Sequence, residues 1–181
     1  MKLLATLNPE YASDKEADGF KRREAARAIV FDADGKIALL NVAKKGYHKL
    51  PGGGVEAGEG VVDALMRECR EEIGCQIAII DALGEIVEYR KMFKIKQTSF
   101  CYLAKVVGPK GEPMFMPDEL ADGFEVQWVP FAVAKQLLML DRPDDQGAVL
   151  YMIPREKIML EAAKHALTEP LVDGCGNGRC Y

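Results

Sequence analysis

The chain has 181 residues and a mass of 20.0 kDa, enough for one domain with its own core and no disulfide framework. It is 49% hydrophobic and 29% charged, and 24 basic against 28 acidic residues leave a net charge of −4. That balance argues against a bulk nucleic-acid coater, which needs a positive field, and no apolar run approaches the roughly 18 residues of a membrane helix.

Residues 1–20 read as a polar lead-in without a clear period. They lack the apolar core of a secretion signal, so a cytoplasmic location is expected. From Arg27, two apolar runs flank the turn D-A-D-G at Asp32 to Gly35, which predicts a hairpin. Lys49-Leu50-Pro51 leads into Gly52, Gly53 and Gly54, and a helical pattern then runs from about Gly60 to Ile73, where Gly74 stops it. Cys75 to Arg90 and Lys94 to Gly108 read as neighbouring antiparallel strands, the first bulged near Gly84. A loop is expected from Pro109 to about Gly123, then a short strand at Glu125 to Val129. Helical periods return at Phe131–Leu140 and, interrupted by Pro154, around Ala148–Leu167.

Residues 21–168 therefore read as one α/β domain: a mixed, mostly antiparallel sheet with helices on its faces. Residues 169–181 read as a flexible tail, and Cys175 and Cys180 within it as its end or as a disulfide. Cys69, Cys75 and Cys101 sit in apolar patterns and read as small buried hydrophobes.

The stretch Gly52 to Cys75 carries the chemistry. At about 100° per residue, Val61, Ala64, Glu68, Glu71 and Glu72 share one helix sector. Val62, Leu65, Met66, Cys69 and Ile73 form the adjoining core face, and Asp63 and Arg70 should face water. Three carboxylates on one face repel each other, and the helix dipole disfavours the two in the last turn. Arg67 can compensate one charge. A divalent metal is the natural compensation for the rest, because hard cations take carboxylate oxygens. A solvated acidic face is the alternative for a helix seen alone, but the glycines before it let backbone approach the same place. Glu59, at the loop-to-helix junction, is placed to reach Arg67 and fix the loop against the helix.

This stretch resembles the signature of the Nudix hydrolases, G-x5-E-x7-R-E-U-x-E-E-x-G-U, where U is a bulky aliphatic residue. Gly53, Glu59, Arg67-Glu68, Glu71-Glu72 and Gly74 match every strictly specified position, and Cys69 and Cys75 stand at the two U positions. A chance match in this chain is on the order of one in a million at typical residue frequencies. The layout of hairpin, signature and later strands resembles the Nudix α/β/α sandwich across roughly residues 24 to 140.

The resemblance implies hydrolysis of the pyrophosphate link in a nucleoside diphosphate joined to another group X, with Mg²⁺ or Mn²⁺. It points toward the MutT-like, nucleotide-pool branch, with oxidised dGTP among the substrates. Carried over by position, Glu68 and Glu72 are the leading metal ligands, Glu71 a third ligand or the holder of a ligand water, and the Gly52 carbonyl an additional ligand. Glu59 and Arg67 belong to the same machinery. The general base stays open between Glu68, Glu71 and a later acid among Glu119, Asp122 and Glu125, of which Asp122 stands first, for a metal-facing or a base role.

Tyr47 and His48 precede the glycines, where their rings would stack on a base or pack. Arg90, Lys91, Lys94 and Lys96 form either a phosphate-facing edge or a solvated one. Partners are a small nucleotide and, through an exposed strand or the N-terminal segment, a second copy; neither bulk nucleic acid nor a membrane is expected. Two other readings are weighed: a catalytically inactive Nudix-fold binding or regulatory protein, and an isoprenoid diphosphate isomerase using a thiol such as Cys101.

Overall fold

The computed structural model describes residues 1–168. The expected tail, 169–181, lies outside the described residues together with Cys175 and Cys180.

The first twenty residues are not an irregular lead-in. Leu3–Leu7 forms β1 and Asp14–Asp18 forms the one-turn helix α1. Ser13 caps α1 reciprocally: its Oγ accepts from the Glu16 amide, and the Glu16 carboxylate accepts from the Ser13 amide at 2.9 Å. The hairpin is present as β2 (Lys21–Phe31) and β3 (Lys36–Val42). Two short strands follow, β4 (Tyr47–Lys49) and β5 (Gly52–Gly54). The helix α2 (Val61–Ile73) starts after Gly60 and ends at Gly74, which turns left-handed at φ 63°.

Next come β6 (Gln76–Arg90) and β7 (Ile95–Val107), antiparallel, with register shifts at Ile79/Asp81 and Ala82/Gly84 that match the expected bulge. The expected loop contains a short helix, α3 (Pro117–Asp122), where Pro117 opens the first turn and the Glu119 carboxylate accepts from the Met116 amide. β8 (Phe124–Pro130) and α4 (Phe131–Leu140) lead to a π-helical turn at Ala148–Met152 and then to α5 (Ile153–Thr168). Pro154 lies in the first turn of α5, directly after the π-helical turn, where the Ile153 amide donates to the Ala148 carbonyl and the proline nitrogen has no proton to donate.

The strands form one mixed eight-stranded sheet in the order β1-β6-β7-β2-β3-β4, with β5 pairing β2 and β8 pairing β3. β1 runs parallel to β6, and β2 parallel to β7; the other pairings are antiparallel. Alternation along β2 sorts its side chains between two cores. Ala26, Ala28 and Val30 pack with Leu65, Cys69 and Ile73 of α2, whereas Ile29 joins Ala134 and Leu138 of α4 and Met159 and Ala163 of α5. The sheet is thus held between α2 and the α4/α5 pair, an α/β/α sandwich. Among the described residues no helix is long and apolar enough to cross a membrane.

Candidate active site

β5 lies antiparallel to β2, with Gly52 opposite Arg27 and Gly54 opposite Ala25, and α2 packs across both strands. The helix therefore brings its acidic sector onto the glycine strand. Asp63 and Arg70 are exposed, as expected; Val62 is also exposed, at 43%, because the core face narrows at the first turn.

Glu72 is 2% exposed. One carboxylate oxygen accepts the Gly52 amide at 2.7 Å, and the other accepts Lys49 Nζ at 2.6 Å. Glu68, one turn earlier, lies against Gly53 so closely that a Cβ there would collide with its carboxylate. Burial first, and the neighbouring Glu72 charge second, push the Glu68 carboxyl above its usual range. Glu71 is the most open of the three, with 37% of its side chain exposed.

Arg67 ties these parts together. Its Nε and Nη2 donate to the two oxygens of Glu59 at 2.9 and 3.0 Å, and Nη2 also donates to the Gly54 carbonyl at 3.0 Å. Its Nη1 donates to Glu68 at 2.9 Å and to Glu71 at 3.3 Å. The fork to Glu59 is the contact foreseen from the spacing. It also holds the guanidinium charged, raising its pKa. Behind the strand, buried Arg27 donates from Nη1 to the Gly52 carbonyl at 2.7 Å. Burial, with Arg155 beside it, lowers Arg27 to about 10. A carbonyl has two lone pairs, so this bond leaves one for another ligand.

Lys49 is the residue that sequence reasoning missed. Among the described residues, the cations in direct ion pairs with the trio are Arg67 and Lys49, the second supplied by β4. Among the described residues, no three acidic, His or Cys side chains converge to form a metal cage. The donor chemistry nevertheless fits a hard divalent ion: Glu68 and Glu72, one turn apart on α2, lie against Gly53 and Gly52 and offer only oxygens.

The remaining candidates have structural partners. Asp122 pairs with Lys45 at 2.5 Å, on the turn after β3, and not with the helix glutamates. Glu119 caps α3, and Glu125 is exposed on β8. Tyr47 takes the packing alternative, buried with Val42 and Ala148. His48 is clamped to Asp141 through both its amide and Nδ1, each at 2.8 Å. Arg90 pairs with Glu88 at 2.8 Å and lies over the Tyr151 ring. Lys91 pairs with Glu16, and Lys96 lies over Tyr89. Cys101 is fully buried, its thiol pushed up to about 12 by burial, which makes it a core residue.

The model of the NUDIX domain matches residues 21–150. Over 78 residues the chain is 36% identical to an RNA pyrophosphohydrolase of Halorhodospira halophila, covering 41% of this chain and 42% of that protein. It is 44% identical over 48 residues to an uncharacterised Nudix hydrolase, YvcI, of Bacillus subtilis, covering 26% of this chain and 30% of that one. The matches thus span less than half the length of either relative. A Nudix hydrolase from Nitrosomonas europaea has the same fold, with a TM-score of 0.62 at 18% identity over 83% of this chain and 94% of that one. With the domain matching most of this chain, and Glu59, Arg67, Glu68 and Glu72 of the signature gathered at the glycine strand, the chain belongs to the Nudix family.

Proposed function

We propose that the protein hydrolyses the pyrophosphate bond of a nucleoside diphosphate linked to X, using Mg²⁺ or Mn²⁺. The observation that carries this reading is the placement of two α2 carboxylates on the glycine strand, Glu68 against Gly53 and Glu72 on the Gly52 amide, with Arg67 and Glu59 bracing them. Glu68, Glu72 and the free lone pair of the Gly52 carbonyl would hold the ion, and Glu71, being more exposed, a ligand water. When bound, a divalent ion neutralises diphosphate charge and acidifies water.

The protein's own residues supply position. Arg67 holds the loop carbonyl of Gly54, the loop carboxylate of Glu59 and the helix carboxylates of Glu68 and Glu71 in one frame. That frame keeps the donors from drifting, which is where much of the catalytic advantage in phosphoryl chemistry resides. Nucleotides of the cytoplasmic pool, including oxidised dGTP, are the proposed substrates. The acidic net charge of −4 favours them over long nucleic acids.

Glu72→Gln tests the site. It is expected to lower Mg²⁺-dependent phosphate release by about 10²-fold or more, the scale on which loss of a transition-state electrostatic contact is felt. The panel should contain canonical and oxidised triphosphates, sugar nucleotides, dinucleoside polyphosphates and an RNA with a 5′ pyrophosphate. Full activity in the variant would reject this assignment. Tight nucleotide binding by the unaltered protein without turnover would mark the regulatory alternative instead.

A further inference from the structure

Glu72 has two oxygens with different partners. Oε2 is anchored by the Gly52 amide at 2.7 Å, a backbone contact fixed by β5. Oε1 is the oxygen left for a cation, and Lys49 Nζ is on it at 2.6 Å. The lysine is not a loose surface group: its side chain is 14% exposed, and its ammonium lies 5.1 Å from the centre of the Phe124 ring. Lys49 therefore occupies the position that a divalent ion would need at Glu72.

The geometry points to Lys49 as a resident counterion that couples metal binding to substrate binding. This rests on the metal-dependent reading above. A free ion reaching Glu72 must displace an ammonium from a shielded carboxylate and break its direct ion pair, which is costly. An ion arriving with a diphosphate brings the displaced ammonium a new anion. Metal and diphosphate then bind better together than apart, and by linkage each raises the affinity for the other by the same factor. The favoured ligand of the resting site is thus a metal–diphosphate complex rather than the bare metal.

The test is Mn²⁺ titration of the full chain, followed by electron paramagnetic resonance, with and without a non-hydrolysable methylene diphosphate nucleotide. The unaltered protein should bind Mn²⁺ weakly alone and more tightly with the analogue. In Lys49→Met, Mn²⁺ alone should bind about tenfold more tightly, and the gain from the analogue should shrink by about the same factor, within the usual range of coupling. Lys49→Arg keeps the charge and should remain weak for Mn²⁺ alone. Should the methionine variant not fold by circular dichroism, Lys49→Gln, which keeps an amide donor to Glu72, replaces it in the same comparison. A merely structural lysine predicts the opposite sign, because disorder at Glu72 would weaken the metal. Equal or weaker Mn²⁺ binding in the uncharged variant overturns the role of Lys49 while leaving the metal site standing. Failure of Mn²⁺ to bind either protein, with or without the analogue, overturns the metal-dependent reading and this inference together.

Discussion

Gly53 shows how one missing side chain sets the site. Its Cα lies where any Cβ would meet the Glu68 carboxylate, so the residue type is dictated by a neighbour and not by a turn. Gly53→Ala must displace either Glu68 or β5. The colliding atoms are the far end of a flexible side chain, so the stability cost is small and the expected effect is a marked loss of metal-dependent activity as the Glu68 carboxylate is pushed out of place. Urea melts and turnover assays measure the two; full activity at unchanged stability would contradict the close approach. The grouping of Glu68, Glu71 and Glu72 was legible from helical arithmetic, and so was the Glu59–Arg67 pair, because both depend on spacing within one local segment. Lys49 was not. Its ammonium meets Glu72 only because β4 runs beside β3 and brings a residue 23 positions earlier under α2. Tyr47 and His48 were ambiguous for the same reason: whether a ring packs or stands open depends on partners, Ala148 and Asp141, from the far end of the chain.

Elements with strong local signals were read nearly to the residue. α2 has a clear apolar stripe and a terminal glycine, and β6 and β7 have long β-branched runs with a glycine bulge. The misses were short elements. β1 has five residues and finds its partner, β6, far along the chain, so no local period announces it. α3 has six residues inside a Pro- and Gly-rich stretch. α1 did carry a readable mark, Ser13 followed three residues later by Glu16, which is the capping-box pattern.

That cap predicts a pH response. The Lys91 ammonium first, and then the Ser13 amide and hydroxyl, hold the Glu16 carboxyl down at about 2 against an ordinary 4.5. A depressed carboxyl stabilises the fold only while ionised, so the contribution is whole above about pH 4.5 and is lost as pH falls toward 2. Amide protection factors in α1, corrected for the intrinsic pH dependence of exchange, should therefore fall across that window ahead of those in α2, and Glu16→Gln should flatten the response in α1. Protection factors in α1 that do not change between pH 4.5 and 2 would contradict it.

For the whole molecule, the sheet is the device that makes the site. It separates two cores, places α2 over the glycine strand, and leaves the acidic sector of that helix at the margin of one core. Below the strand, Arg27 and the buried ion pairs of Arg155 with Glu88 and Glu156 take the place of apolar packing. Such pairs are costly to break on one side only, and the Arg27 bond to its carbonyl holds the backbone of Gly52. Resemblance to the Nudix signature anticipated this architecture. What it could not supply is the internal cation at Glu72, which offsets one carboxylate charge without a metal.

The central claim is that the carboxylates of Glu68 and Glu72 are metal ligands. The most direct measurement is a crystal structure grown with Mn²⁺ and a non-hydrolysable nucleotide, with anomalous data collected at the manganese edge. A manganese peak is expected within about 2.5 Å of oxygens from both glutamates, the distance at which hard cations are held, with Lys49 withdrawn from Glu72. A nucleotide bound in the crystal with no manganese beside either glutamate would contradict it.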